Sequence, residues 1–154
     1  MGIYLDTSAL AKLYRPEIGT AIVERIIDDS SGECFISRLG VLEMRSVLAR
    51  KMRAGELSPS ETTLVLQRFR KDIRVRRFRV QAVRVRHYEM AEKLVDAYGP
   101  TQGLRTLDSL HLAGALDLKA EQLIDSIVVA DKILARVAAL EGLLAIDPEA
   151  TIPA

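Results

Sequence analysis

Short apolar runs alternate along this chain with longer segments of helical periodicity, and this alternation constrains the fold most. The runs "IYL", "CFIS" and "IVVA" are short and rich in branched or aromatic residues, which is typical of strands. The segment "EIGTAIVERIIDD" instead repeats its isoleucines and valine at helical spacing. Strands that alternate with helices predict an α/β sandwich around a mostly parallel sheet.

Several predicted helices carry signals at their ends. Ser37 is placed to cap a long helix that Gly55 ends, and "SPSE" at 58–61 combines an N-cap serine, a proline and a glutamate. The pair Gly99-Pro100 predicts the end of a later helix, and Thr106 is the predicted N-cap of the next one.

The size of the chain favours a single domain over residues 1–154. At 154 residues and 49% hydrophobic, it can bury one sizeable core. A net charge of +1 does not by itself indicate a polyanionic partner. Cys34 is the only cysteine, which excludes an intramolecular disulfide and a cysteine-based zinc cluster and favours a buried, reduced thiol.

No signal-peptide pattern opens the chain, and no stretch of 18 or more uncharged apolar residues occurs in it. We therefore expect a cytoplasmic protein without a membrane segment.

Four acidic residues stand where a folded domain usually avoids charge. Asp6 ends the first strand, Glu43 lies in an apolar helix, Asp108 is in the first turn of another helix, and Asp131 follows "IVVA". The carboxyl ends of parallel strands share one edge of a sheet, so these side chains can meet there. Ionised carboxylates in one place require a cation, and an all-oxygen set suits Mg²⁺ or Mn²⁺.

Each acid also has an explanation without chemistry. Asp6 and Asp131 are favoured N-cap residues at strand-to-helix junctions, and Asp108 is a first-turn acid that complements the helix dipole. Glu43 is a surface residue if the helix is phased differently. His111, one turn after Asp108, is either a general acid or a hydrogen-bonded structural histidine.

Four segments together resemble the PIN-domain ribonucleases, in particular the VapC-type toxins of type II toxin–antitoxin systems. They are "YLDTSALAKLY", "ISRLGVLEMRSVLAR", "LRTLDSLHLAGAL" and "IVVADKILARVAALEGL", and the resemblance runs from Ile3 to about Asp147. It implies a PIN-like three-layer α/β/α sandwich around a mostly parallel sheet of four to five strands. It also implies a divalent-metal-dependent ribonuclease that acts as the toxin of such a pair.

The same resemblance implies roles for individual residues. Asp6, Glu43, Asp108 and Asp131 match the family's acidic quartet, which holds Mg²⁺ or Mn²⁺, and Ser8 matches a supporting hydroxyl. The chain departs from the family at Val129, two residues before the fourth acid, where serine or threonine is common. We consider a water or Ser126 as the substitute.

The segment "RFRKDIRVRRFRVQAVRVR", residues 68–86, holds nine basic residues and one acid. It is a candidate RNA surface, with Phe69 or Phe78 as a base-stacking group, or else an edge strand protected by arginine against pairing. The helix of Glu43 carries further arginines. The RNA-contact candidates are Arg45, Arg50, Arg74 and Arg76.

The resemblance further implies a small antitoxin partner and a homodimer. An apolar groove around the first helices would receive the antitoxin, although the same residues are equally suited to the core: Leu10, Leu13, Tyr14, Val23 and Ile27. Two alternatives stay open, namely a solitary PIN nuclease in RNA processing and a PIN-like module that binds RNA or protein without cleavage.

Overall fold

A computed structural model describes residues 1–150 and contains a five-stranded sheet. Its strands are β1 (Gly2–Leu5), β2 (Cys34–Ser37), β3 (Arg79–Gln81), β4 (Ile124–Val128) and β5 (Leu144–Ile146). They are ordered β3-β2-β1-β4-β5, and every neighbouring pair is parallel. The predicted sheet is therefore confirmed, and it is wholly rather than mostly parallel.

Helices cover both faces of this sheet, so the predicted three-layer sandwich is confirmed. The helices are α1 (Thr7–Leu10), continued by a 3₁₀ turn (Ala11–Leu13), α2 (Thr20–Asp29), α3 (Arg38–Arg53), α4 (Pro59–Arg74), α5 (Val85–Gln102), α6 (Thr106–Ala120) and α7 (Lys132–Leu140). One apolar core joins the sheet to α1–α4, and a second joins it to α5–α7.

The central strand β1 shows how the two cores are separated. Ile3 and Leu5 enter the core under α1–α4, whereas Tyr4 enters the core under α5–α7. Successive side chains of a strand point to opposite faces, and both faces of a parallel sheet are covered. Each such buried side chain contributes about 1.5–3 kcal/mol to the free energy of unfolding.

The helix ends confirm two predicted caps and contradict two other predictions. Ser37 accepts a hydrogen bond from the backbone of Leu39, and Ser58 forms a complete capping box with Glu61. Thr106 is not the N-cap of α6, because the carbonyl of Arg105 already accepts the first helical bond, from the Ser109 amide at 2.9 Å. Thr106 is instead the first residue of the helix.

Helix α5 also does not stop at Gly99-Pro100. It continues to Gln102, and Gly103 ends it in the left-handed conformation with φ of 76°. The Gly103 amide donates to Gly99 at 3.0 Å and the Leu104 amide donates to Tyr98 at 3.4 Å. Because these bonds close the last turn, the single donor that proline lacks does not end the helix.

Several residues predicted at surfaces belong to the core. Phe69 and Phe78 are each 2% exposed, so the prediction that either stacks on a base is wrong. The first helices do not form the predicted groove, and the alternative prediction, that these residues belong to the core, is confirmed for four of the five. The four buried residues are Leu10, Leu13, Tyr14 and Val23.

Cys34 is buried as predicted, and burial raises the pKa of its thiol to about 12. Among residues 1–150, no helix has both the length and the apolar character needed to span a membrane.

Candidate active site

The four predicted acids lie on elements that start at one edge of the sheet. Asp6 follows β1, Glu43 lies on the helix that follows β2, and Asp131 begins the helix that follows β4. Asp108 is in the first turn of α6. Asp6 is 5% exposed, and the other three side chains are partly buried.

Ser8 fixes the orientation of Asp6. The Ser8 amide and hydroxyl donate to Asp6 Oδ2 at 3.1 and 2.7 Å, so Asp6 caps the short helix α1. The same hydroxyl accepts the backbone N–H of Ala130 at 3.0 Å. Ser8 therefore joins the carboxyl ends of β1 and β4, and it leaves Asp6 Oδ1 free to face the site.

Glu43 is held by a buried network. Thr7 Oγ1 donates to Glu43 Oε1 at 3.0 Å, and His111 Nε2 is hydrogen-bonded to the same oxygen. The other ring nitrogen, Nδ1, is hydrogen-bonded to the Tyr4 hydroxyl at 2.8 Å. Gly40 allows α3 to approach, because a Cβ there would lie 3.2 Å from Thr7 Oγ1. His111 is thus hydrogen-bonded and 1% exposed, and it lies inside the acidic site.

The network favours charge on both of its main members. Burial alone would raise the pKa of Glu43, but the hydrogen bond and charge of His111, with the bond from Thr7, lower it below its usual value. Burial alone would lower the pKa of His111, but Glu43 and Asp6 raise it overall. Asp6 Oδ1 lies 3.7 Å from His111 Nδ1, so the imidazole faces two carboxylates.

Arg105 holds the other two acids. Its Nε donates to Asp108 Oδ2 at 3.0 Å and its Nη2 donates to Asp131 Oδ2 at 3.2 Å. Asp131 Oδ1 accepts the amides of Ile133 and Leu134 at 3.0 and 2.9 Å, so Asp131 is a cap as well as a candidate site residue. Burial raises the pKa of Asp108 despite the nearby guanidinium.

The carboxylates are therefore arranged as two sets, one around His111 and one around Arg105. Within residues 1–150, no three His, Cys, Asp or Glu side chains are grouped closely enough to hold a metal ion. The donor chemistry nevertheless fits Mg²⁺ or Mn²⁺, since all four acids offer oxygen ligands. Arg105 supports the fit, because its cationic group already bridges two of them.

Ser126 does not reach the site, so it does not replace the hydroxyl that Val129 lacks. Val129 is fully buried in the core under α5–α7, and the Ser126 hydroxyl donates to Asp125 at 3.0 Å. At the carboxyl end of β4 the hydroxyl comes from Ser8 instead, which lies on α1 directly after the neighbouring strand β1.

The four RNA-contact candidates fall into different regions. Arg45 lines a crevice of about 300 Å³ between α3 and α4. Arg50 is seven residues after Glu43 on α3, which puts it on the same helix face about 10 Å further along. Arg74 ends α4 and Arg76 precedes β3, so both lie at the opposite, amino-terminal edge of the sheet.

Three residues at this site escaped the sequence analysis: Tyr4, Thr7 and Arg105. Thr7 directly follows Asp6, and Arg105 stands three residues before Asp108, a spacing at which helical side chains meet. These spacings were the available signals. Nothing in the sequence pairs Tyr4 with His111.

Comparison with known families and structures agrees with this fold. The PIN domain family matches residues 3–140. A search of curated proteins finds no match.

Three solved structures are similar in fold. FitAcB from Neisseria gonorrhoeae has a TM-score of 0.69 at 18% identity, over 95% of this chain and 97% of that chain. VapC20 from Mycobacterium tuberculosis, described as a sarcin-ricin loop cleaving toxin, has a TM-score of 0.67 at 15% identity, over 97% and 99%. VapBC2 from Rickettsia felis, bound to a promoter DNA fragment, has a TM-score of 0.62 at 15% identity, over 96% and 98%. The match to the family covers most of the chain, which therefore belongs to the PIN domain family.

Proposed function

We propose that this protein is a divalent-metal-dependent ribonuclease and the toxin of a toxin–antitoxin pair. The proposal is supported by a PIN domain in which Asp6, Glu43, Asp108 and Asp131 stand on elements that begin at one edge of the sheet. The related toxin from M. tuberculosis, which cleaves the sarcin-ricin loop, supports RNA as the substrate.

The chain's own residues have separate tasks in this reaction. Asp6, held by Ser8, and Asp108 and Asp131 offer carboxylate oxygens for Mg²⁺ or Mn²⁺. Glu43, fixed by His111, completes the set. A bound divalent ion supplies an activated water and offsets the charge that develops on the phosphate.

RNA reaches such a site along positive surface. Arg38, Arg45 and Arg70 line the crevice between α3 and α4, and no acidic residue lines it. Arginine guanidinium groups suit phosphate oxygens, so we assign the first RNA contacts to Arg45 and to Arg50, which lies on the same face of α3 as Glu43. Arg74 and Arg76 lie too far around the sheet to touch the same phosphate and are proposed as contacts for a longer RNA.

Cleavage of labelled RNA by the purified protein tests the proposal. Activity is expected with Mg²⁺ or Mn²⁺ and is lost in EDTA. Asp6→Asn or Asp108→Asn should lower kcat/KM by about 1,000-fold, which corresponds to about 4 kcal/mol of lost transition-state stabilisation. Circular dichroism should show an unchanged fold.

Asp125→Asn is the matched control, because this exposed aspartate lies near the amino-terminal end of β4, away from the site. It should cleave as the unsubstituted protein does. Undiminished cleavage in EDTA would rule out the metal mechanism. RNA binding without cleavage under all conditions would indicate a binding module instead.

An antitoxin partner is proposed from the relatives, which include the VapBC2 complex and FitAB bound to DNA. The buried residues of the first helices are not available to such a partner. An apolar groove of about 690 Å³ that includes Ile3, Ile22, Ile26 and Ile146 is open beside β5.

Co-expression with a small neighbouring reading frame tests the partner. Copurification and loss of RNA cleavage are expected, and Ile22→Asp should weaken both. If the protein purifies without the co-expressed product and still cleaves RNA, the antitoxin proposal is contradicted. Light scattering of the isolated protein tests the proposed homodimer.

A further inference from the structure

Arg105 is placed to compete with a metal for the same oxygen atoms. It directly precedes α6, and its side chain is 67% exposed, so packing does not lock it in place. It nevertheless reaches two acids from different helices, Asp108 on α6 and Asp131 before α7. No side-chain capping bond at the start of α6 accounts for it.

The free oxygen of Asp131 is the one that Arg105 occupies. Oδ1 of Asp131 accepts two backbone amides and holds the start of α7. Oδ2 is left for a ligand, and Arg105 Nη2 donates to it at 3.2 Å. A cation that binds Asp131 without unwinding α7 must therefore use Oδ2, the oxygen that the guanidinium contacts.

The charges around Arg105 favour the same interpretation. The guanidinium of Arg105 is hydrogen-bonded to the carboxylates of both Asp108 and Asp131. One exposed cation thus compensates two carboxylates that would otherwise repel each other. A divalent ion does this with twice the charge.

We propose that Arg105 is an internal counter-cation, which a divalent metal displaces from Asp131 and Asp108 and which then binds a phosphate oxygen of the RNA. The second half rests on the proposed function. The displaced guanidinium is tethered three residues from Asp108, so it stays at the rim of the site. Its planar donors match a phosphate, which approaches from solvent.

Calorimetric titration with Mn²⁺, in the absence of RNA, tests the first half. Arg105→Gln removes the competing charge and should tighten Mn²⁺ binding by about tenfold, whereas Arg105→Lys should have a smaller effect. Arg136→Gln is the control, because Arg136 contacts Gln102 at 3.3 Å and none of the four acids. The affinity of this variant for Mn²⁺ should be unchanged. Equal or weaker binding by Arg105→Gln would overturn the displacement.

RNA cleavage at saturating Mn²⁺ tests the second half. Arg105→Gln should raise KM by about tenfold, and Arg105→Lys should restore part of the loss. Arg105→Gln should therefore bind Mn²⁺ more tightly and RNA more weakly. A merely structural role would not shift the two affinities in opposite directions. A KM equal to that of the unsubstituted protein would overturn the phosphate contact.

The outcomes separate this proposal from the proposed function. If Mn²⁺ binds neither protein, the metal nuclease and the displacement both fail. If both proteins bind Mn²⁺ equally and cleave RNA, only the role of Arg105 fails. If Arg105→Gln binds more tightly but no RNA is cleaved, the displacement stands and the nuclease fails.

Discussion

The protein contains two buried histidines that are each paired with a carboxylate, and they are surrounded by different charges. His111 meets Glu43 at the acidic site, and His87 meets Asp117 at 2.8 Å between α5 and α6. The two histidines are 1% and 2% exposed. Each uses Nε2 for the carboxylate and Nδ1 for a second hydrogen bond.

The surroundings of the carboxylates distinguish the two pairs. Arg86 donates twice to Asp117, from Nη2 at 2.6 Å and from Nε at 3.2 Å, so a guanidinium balances the charge of that carboxylate. His111 faces a second acid, Asp6, instead. The same kind of histidine–carboxylate pair therefore joins two helices in one region, where His87 on α5 contacts Asp117 on α6. In the other region it is part of an anionic site.

Removal of each histidine is expected to separate these roles most strongly. His111→Ala should lower RNA cleavage by about 100-fold, because Glu43 loses the group that orients it. It should also lower the free energy of unfolding by about 3 kcal/mol, since Tyr4 and Glu43 lose buried partners. Urea denaturation and kcat/KM measure both effects.

His87→Ala is the counterpart in the other region. It should cost a similar 2–3 kcal/mol in urea denaturation but leave the kcat/KM of the folded protein unchanged. Equal losses of cleavage in the two variants would contradict the distinction.

A conservative replacement of His111 sharpens the positioning role. In His111→Gln the amide nitrogen can take the place of Nε2 and donate to Glu43, so we expect recovery of about tenfold of the cleavage lost in His111→Ala. Recovery should appear in kcat more than in KM. No recovery beyond the alanine variant would mean that the ring itself is required.

The pH dependence of stability tests the balanced pair. Burial alone would raise the pKa of Asp117, but hydrogen bonds and charges from Arg86 and His87 lower it below its usual value. The stabilisation is therefore complete above the unfolded-state pKa of about 3.9 and is lost as pH falls through the lower folded-state value. Asp117→Asn should cost about 1–2 kcal/mol at pH 7 and progressively less below pH 4 in urea denaturation.

The smallest effect on stability is expected from replacement of Arg86, the exposed partner of Asp117. Arg86→Gln removes a half-exposed arginine that also contacts Glu121 at 3.4 Å. Exposed ion pairs are screened by solvent and contribute little, so the urea midpoint should hardly change, and not at all at high salt. A large shift would mean that Asp117 needs the charge of Arg86.

The placement of the acids at one edge was predictable because a parallel sheet leaves few choices. Residues that follow β1 and β4 must lie at the same edge, whichever rotamers they adopt. The contacts among them were not predictable, since the bridge from Arg105 to Asp131 joins side chains 26 residues apart and depends on the packing of α6 against α7. Local end signals were reliable at Ser58 but not at Pro100, where the bonds made by Gly103 and Leu104 prevail.

The pairing of β1 with β4 also determines when the candidate site can form during synthesis of the chain. Ile3 pairs with Ser126, so the central strand lacks one neighbour until residues 124–128 have left the ribosome. Asp131 lies beyond that strand. Such distant contacts form late and slowly in folding. A chain that has not yet been synthesised as far as Asp131 lacks one of the four candidate acids, so the proposed activity is not expected before then.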